Sequence, residues 1–137
     1  MIICVCVDDA FGMSFNRRRQ SRDKAQILRL IETAGDRKIF VSEYSLPLFS
    51  ETGAENVRLT RDFSEAGADD VCFFELEHVT EHAHKAESYI LYRWNRKYPS
   101  DKKFPFDLAK KGYTLTRSTD FSGSSHEKIT EEVWKKI

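Results

Sequence analysis

The apolar residues of this chain fall into short clusters separated by polar turns. Residues 2–8 are a nearly continuous apolar run with β-branched side chains, and the run ends at Asp8-Asp9. A run of this length that stops at charged residues predicts a buried β-strand. The polar residues 9–20 that follow are predicted to form a loop.

The next segment has the periodicity of an amphipathic helix. Apolar residues recur three or four positions apart, at Ala25, Ile27, Leu28, Ile31 and Ala34. This spacing predicts a helix over about 22–34. Ser21 is the expected N-cap, Asp23 adds negative charge to the first turn, and Gly35 is a natural stop.

Further apolar runs predict the rest of a sheet. Strands are predicted at 38–42, 57–60, 71–74, 88–94, 112–117 and 127–135, with a turn or short helix near 47–49 and a poor helix over 76–87. A helix is the alternative for residues 127–135. The order predicts one α/β domain over 1–137, with a mainly parallel sheet and a C-terminal antiparallel hairpin.

Composition narrows the class of protein. The 137 residues suffice for one domain, and 22 basic residues balance 22 acidic ones, for zero formal charge. Zero net charge does not favour a nucleic-acid-coating protein. The apolar N-terminus lacks a basic segment, and no apolar run approaches the roughly 20 residues that span a bilayer. We therefore expect a cytoplasmic protein without a membrane partner.

The metal-ligating residue types do not form a strong motif. The three cysteines, Cys4, Cys6 and Cys72, form no CxxC pair and are too few for a disulfide framework. They are predicted to be small core residues, although a reactive or metal-binding role is the alternative. His78 and His82 have the spacing of a zinc site on a helix, but surface histidines are the better interpretation. No metal site is predicted.

Several motifs along the chain resemble those of one enzyme family. Residues 3–13 (ICVCVDDAFGM) resemble the family's opening strand and the loop after it, and Asp23 falls where its first helix carries a substrate-binding carboxylate. The later matches are Tyr89-Ile90-Leu91 with Phe104-Pro105, and Gly112–Leu115 with Glu127–Trp134 for the closing hairpin. The family is that of the dihydrofolate reductases, and the resemblance implies a dihydrofolate-reductase-like fold of reduced size.

The cofactor motifs of that family are replaced here. Its Gly-Arg-x-Thr segment becomes Ser42-Glu43-Tyr44-Ser45, and its Gly-Gly pair becomes Phe74-Glu75. Those glycines let the backbone approach a pyrophosphate, which carboxylates at Glu43 and Glu75 would repel. NADPH binding in the family's manner is therefore not expected, and the sequence leaves the cofactor unidentified.

The chain also resembles a group of short Firmicutes proteins, some of which carry the label ribonuclease Z. That enzyme's metallo-β-lactamase fold needs a His-x-His-x-Asp-His cluster. The segment His82-Ala83-His84-Lys85-Ala86 has only the first two histidines of that pattern, so the residues do not support the label.

Candidate catalytic and binding residues follow from the predicted sheet. Ligands of open α/β sheets bind beyond the carboxyl ends of the parallel strands. That rule selects the residues Asp8, Asp9, Ser42, Glu43, Tyr44 and Glu75. Of these, Asp8, Glu43 and Tyr44 are candidate ligand contacts and Glu75 is a candidate for acid–base catalysis. Asp23 is the second candidate catalytic residue, since it could hold a protonated ring nitrogen or donate a proton. The alternative is that these are solvated strand ends and a helix start.

Three further groups are candidate ligand contacts. Arg17, Arg18 and Arg19 precede a helix N-terminus and suit a phosphate, or they belong to a flexible charged loop. His126 and Lys128 lie between the last two strands, where the alternative is hairpin-turn chemistry. The segment Tyr92–Tyr98 alternates aromatic residues with cations, as stacking and phosphate-binding surfaces do, and as an amphipathic strand running into a loop does.

The sequence thus predicts a dihydrofolate-reductase-like domain that binds a small heterocyclic or phosphorylated ligand, and it leaves open whether the protein is an enzyme. One alternative is a Mg²⁺- or Mn²⁺-dependent phosphoesterase or nuclease that uses Asp8, Asp9, Glu43 and Glu75. The other is a non-catalytic interaction module, with a homodimer formed through an exposed edge strand.

Overall fold

Ten strands and one α-helix make up the computed structural model, which describes residues 1–137. The strands are β1 (Ile2–Val7), β2 (Gly12–Phe15), β3 (Arg18–Arg19), β4 (Ile39–Val41), β5 (Val57–Leu59), β6 (Val71–Phe73), β7 (Ser88–Arg93), β8 (Lys102–Lys103), β9 (Tyr113–Phe121) and β10 (Ile129–Lys136). The helix is α1 (Lys24–Ala34), and 3₁₀ turns lie at Leu46–Leu48, Val79–Glu81 and Ala83–Lys85. None of the helices has the length and apolar character needed to cross a membrane.

Seven of the strands form one sheet in the order β5-β4-β6-β1-β7-β10-β9. The first five strands in that order run parallel to one another, from β5 to β7. Strand β10 runs antiparallel to both β7 and β9. The structure therefore confirms the predicted mainly parallel α/β sheet with an antiparallel C-terminal hairpin. Residues 129–136 form a strand, and the helix considered for this segment does not form.

The central strands of the sheet are buried on both faces, which explains the continuous apolar run of β1. Cys4 points to the face covered by α1, where it packs in a cluster with Ile27 and Leu30. Ile3 and Val5 alternate to the opposite face, as strand geometry requires. That second face is covered by connecting segments, which contribute Phe63, Val79, Phe104 and Leu108.

The predicted loop over 9–20 contains a hairpin. Strands β2 and β3 pair antiparallel, and β2 also pairs with β8 in a small second sheet. Asn16 and Arg17 turn the chain with φ of 53° and 58°, the left-handed backbone that two-residue hairpin turns need. The hairpin was missed because Arg stands where Gly is the usual signal.

Two helix predictions also need correction. The N-cap of α1 is Asp23 and not Ser21, because the Asp23 carboxylate accepts hydrogen bonds from the backbone N–H groups of Ala25 and Gln26. The helix accordingly begins at Lys24. The poor helix expected over 76–87 is replaced by the two 3₁₀ turns there. The predicted C-terminal stop is confirmed, with Gly35 at φ 60°.

Candidate functional site

Asp8 lies just beyond the end of β1 and is 1% exposed. Its Oδ1 accepts hydrogen bonds from the N–H groups of Ala10 and Gly12, at 2.9 and 2.7 Å, and its Oδ2 accepts from Tyr98 N at 3.0 Å. Burial by itself would raise the pKa of Asp8, but these hydrogen bonds outweigh it and the pKa lies below its ordinary value. Asp8 therefore holds together the turn after β1 and the segment that carries Tyr98.

Glu75 lies at the end of β6 and is 9% exposed. Arg19 donates to it from Nε at 2.8 Å and from Nη2 at 2.9 Å, and Ser45 Oγ donates at 2.7 Å. The Arg19 guanidinium also lies over the Tyr44 ring, 4.3 Å from its centroid. We call Arg19, Tyr44, Ser45 and Glu75 the Arg19 cluster. The hydrogen bonds from Arg19 to Glu75 raise the pKa of Arg19.

The structure thus joins three of the predicted site residues, Arg19, Tyr44 and Glu75, and leaves three others apart. Arg17, Arg18 and Glu43 are exposed. No group of three or more His, Cys, Asp or Glu side chains is placed to hold a metal ion. The carboxylates at the strand ends therefore do not converge as a metal centre would require.

A buried polar contact joins Asp23 to His126. Nδ1 of the imidazole lies 2.9 Å from Asp23 Oδ2, and the two side chains are 0% and 2% exposed. The backbone N–H groups of Ser124, Ser125 and His126 also donate to this carboxylate, at 2.8, 2.8 and 3.2 Å. Asp23 therefore anchors the loop before β10 to the start of α1.

The hydrogen bonds of Asp23 also determine which ring nitrogen of His126 carries a proton. Although burial would raise the pKa of Asp23, the hydrogen bonds from Ser124, His126, Ser125 and Ala25 bring it well below its ordinary value. An ionised carboxylate only accepts, so Nδ1 of His126 carries a proton. The ring stacks on Trp94, with centroids 4.6 Å apart.

Both oxygens of Asp23 are fully occupied by these donors, because Oδ1 accepts from Ala25 and Ser124 and Oδ2 from Ser125 and His126. A protonated ring nitrogen of a ligand would have to displace one of these internal donors. In this structure, Asp23 positions His126 and caps α1.

Two cavities flank the Asp23–His126 pair. One, of about 350 Å³, lies between α1 and the turn at Leu46–Leu48, and is lined by Arg22, Asp23, Lys24, Ile27, Pro47, Leu48, Glu51, Thr52 and Ser125. The other, of about 540 Å³, is lined by Trp94, Asn95, Arg96, His126, Glu127 and Lys128. We call them the helix cavity and the His126 cavity.

The His126 cavity brings together two predicted ligand contacts, His126 and Lys128, and adds Arg96. Arg96 belongs to the segment Tyr92–Tyr98, whose alternation of aromatic and basic residues was the sequence signal for it. Lys128 makes one long ion pair, 3.8 Å from Asp120, and Arg96 has no acidic partner within 4.0 Å. The cavity therefore presents two cations and one acid, Glu127.

A further buried carboxylate lies outside these cavities. Glu131, near the start of β10, is 0% exposed and accepts from Tyr92 Oη and Thr33 Oγ1 at 2.7 Å and from Arg29 at 3.0 Å. Burial would raise the pKa of Glu131, but these hydrogen bonds bring it below its ordinary value. Glu131 ties α1 to the sheet, a role that its place between Ile129 and Val133 did not reveal.

Comparison with solved structures identifies the fold. The chain is similar to a dihydrofolate reductase from Enterococcus faecalis, solved in complex with NADP(H) and RAB-propyl, at a TM-score of 0.66. The match covers 98% of this chain and 95% of that one, at 8% sequence identity. No family model and no curated protein sequence matches the chain. The protein therefore has a dihydrofolate-reductase-like α/β fold.

Proposed function

We propose that this dihydrofolate-reductase-like domain binds a small phosphorylated ligand in the His126 cavity. The observation that carries the proposal is the excess of cations among the lining residues, where Arg96 and Lys128 are accompanied by one carboxylate, Glu127. Lys128 has only a long contact, 3.8 Å, to Asp120, which lies outside the lining. Guanidinium and ammonium groups are the usual side-chain partners of phosphate. The rings of Trp94 and His126 also line the cavity, but they stack on each other and are almost fully buried. The charged side chains are therefore the main contacts that the cavity offers to a ligand.

The helix cavity has a less suitable charge pattern for phosphate. It also contains two cations, Arg22 and Lys24, but these face two carboxylates, Asp23 and Glu51. Its first-turn amide Ala25 N–H already donates to Asp23 and to Ser124 Oγ. The helix N-terminus is therefore closed by its own cap and offers less to an anion.

Calorimetric titration with inorganic phosphate and with a nucleoside monophosphate tests the proposal. Replacing Arg96 and Lys128 together by Ala should weaken binding by at least tenfold. The double variant Arg22→Ala/Lys24→Ala is the matched control, because it removes the same two residue types from the helix cavity, and it should bind as the wild type does. Loss of binding in the control alone, or no binding by the wild type, would refute the proposal.

We also propose that the domain does not bind NADPH in the manner of the reductases. The Arg19 cluster supports this, since Glu75 stands with Phe74 where the resemblance would place a glycine pair, and Glu75 is held in an ion pair with Arg19. A pyrophosphate would have to separate that ion pair or lie against a carboxylate. Thermal-shift measurements with NADPH and NADH should show no stabilisation, whereas a shift of several degrees at saturation would contradict the proposal.

The structure does not favour a metal-dependent phosphoesterase. Asp8 and Glu75 are held in separate sets of hydrogen bonds, and Asp9 and Glu43 are exposed.

The interaction-module alternative stays a prediction. Strand β9 forms one edge of the sheet, and most of its nine residues are exposed. Light scattering at several protein concentrations would detect a homodimer formed through that edge.

A further inference from the structure

A chain of side chains runs from Asp23 through His126 to Ser21. Nδ1 of His126 lies 2.9 Å from Asp23 Oδ2, and Nε2 lies 3.2 Å from Ser21 Oγ. A hydroxyl, an imidazole and a buried carboxylate within hydrogen-bond reach of each other form the arrangement that activates a serine nucleophile. Ligand binding by Arg96 and Lys128 makes no use of Ser21.

The positions of the protons suit this chemistry. Because Nδ1 donates its proton to the ionised Asp23, the neutral imidazole has its free lone pair on Nε2. That lone pair lies on the side of Ser21. The serine hydroxyl therefore meets a base in the correct tautomer.

The base is also held rigidly in orientation. The ring of His126 is stacked on Trp94 at an interplanar angle of 17°, and its own N–H donates to the same Asp23 carboxylate. A flip of the ring would break the contact between Nδ1 and Asp23. Asp23 thus acts here as a positioning residue for His126, and Ser21 is the residue that would contact the substrate.

We propose that Ser21 is the nucleophile of an acyl-transfer activity towards small carboxylic esters, with His126 as its base. Ser21 Oγ bonds to the carbonyl carbon while its proton moves to His126 Nε2. The carbon–oxygen bond of the ester then breaks, and the departing alcohol takes that proton. Water, deprotonated by the same Nε2, then bonds to the acyl carbon. The bond from that carbon to Ser21 Oγ breaks, Nε2 returns the proton to Oγ, and the carboxylic acid and the free serine are released.

Tyr98 controls the resting state of this arrangement. Its hydroxyl lies 2.8 Å from His126 Nε2 and 3.3 Å from Ser21 Oγ, so it competes with Ser21 for a single lone pair. The shorter contact favours Tyr98 in the resting protein. An incoming ester must displace this hydroxyl, and Ser21, which is half-buried, then donates to the imidazole.

Labelling with a fluorophosphonate tests the proposal without a known substrate. Ser21 Oγ should form a bond to phosphorus with release of fluoride, and mass spectrometry of peptides locates the adduct. Ser125 is an internal control, because it is exposed and its Oγ lies 3.4 Å from Nδ1, the nitrogen that carries the proton. Ser21 should be modified at least tenfold faster than Ser125. Equal rates, or no adduct on Ser21, would overturn the proposal.

Two variants separate catalysis from structure. Ser21→Ala should abolish the adduct and the hydrolysis of p-nitrophenyl acetate, with an unchanged unfolding temperature. Tyr98→Phe should raise the labelling rate of Ser21 severalfold, because it frees the lone pair of Nε2. A purely structural network predicts no gain in reactivity from Tyr98→Phe, and an unchanged or lower labelling rate would overturn the proposal.

Discussion

Asp23 and His126 are 103 positions apart in the chain and meet at 2.9 Å, with both side chains almost fully buried. Asp23 caps the start of α1, and His126 belongs to the loop that leads into β10. This contact therefore connects the start of the helix to the C-terminal hairpin.

Removal of the Asp23 charge should destabilise the protein. Asp23→Asn loses the charged acceptor for the backbone N–H groups of Ser124 and Ser125 and for the imidazole of His126. We expect the free energy of unfolding in urea to fall by about 3 kcal/mol, from the loss of a cap and of buried charge-assisted hydrogen bonds. Asp36→Asn, in the exposed turn after α1, should change it by less than about 0.5 kcal/mol.

The same carboxylate should make stability depend on acid pH. The pKa of Asp23 is lower in the folded protein than in the unfolded chain, where it is about 3.9. Its contribution is therefore fully present above that unfolded value and is lost as the pH falls through the lower folded value. Urea unfolding at pH 5, 3 and 2 should show a smaller decline for Asp23→Asn than for the wild type. Parallel declines would contradict this assignment.

Gly123 allows the loop to approach Asp23. A Cβ at this position would lie 2.6 Å from both Asp23 Oδ2 and the carbonyl oxygen of His126. Gly123→Ala should therefore destabilise the protein by about 2 kcal/mol, within the range for overpacking. Gly67→Ala is the matched control, since its Cβ would meet nothing nearer than Asp70 Oδ2 at 3.5 Å. Thermal unfolding of the two variants compares them, and equal melting temperatures would count against the close approach.

Glu131 should be far more important for stability than its neighbour Glu132. Glu131→Gln places an amide among Tyr92, Thr33 and Arg29, which all donate, and leaves the Arg29 charge uncompensated. We expect a loss of about 3 kcal/mol. Glu132→Gln changes a partly exposed residue whose ion pair with Arg93 is 3.9 Å long, and it should be nearly neutral. Denaturant unfolding distinguishes them, and similar losses would contradict the network.

The Arg19 cluster should show strong pairwise coupling. Arg19→Met leaves Glu75 buried without its cation, and Glu75→Leu leaves the guanidinium without its carboxylate, whereas the double variant removes both. A double-mutant cycle of unfolding free energies should give a coupling of about 2 kcal/mol. Additive effects would show that the pair contributes little to stability.

Much of the fold was predictable because its signals are local. The apolar run of β1 and the helical spacing of Ile27 and Ile31 depend on neighbours in sequence, and both elements formed where expected. The β2–β3 hairpin was missed because its strands are short and polar and its turn is Asn16-Arg17. The N-cap was misplaced by two residues, since Ser21 and Asp23 are both good caps and only tertiary contacts to Ser124 and Ser125 distinguish them.

The site was less predictable because its contacts are long-range. The sequence placed Asp23 at the start of a helix and His126 in a hairpin loop, but it contained no signal that the two meet. The same holds for Arg19 and Glu75, which are 56 positions apart. The residue types indicated which side chains could bind a ligand or transfer a proton. Only the fold shows which of those side chains are already occupied by internal hydrogen bonds.

Mapping of phosphate binding by NMR shows directly which of the two cavities binds the anion. Addition of inorganic phosphate to the isotope-labelled protein should shift the backbone amides around Arg96, Glu127 and Lys128, saturably, and leave those of Lys24 and Thr52 unchanged. These two groups line the His126 cavity and the helix cavity respectively. Saturable shifts confined to Lys24 and Thr52, or no saturable shifts at all, would contradict a phosphate site at the His126 cavity.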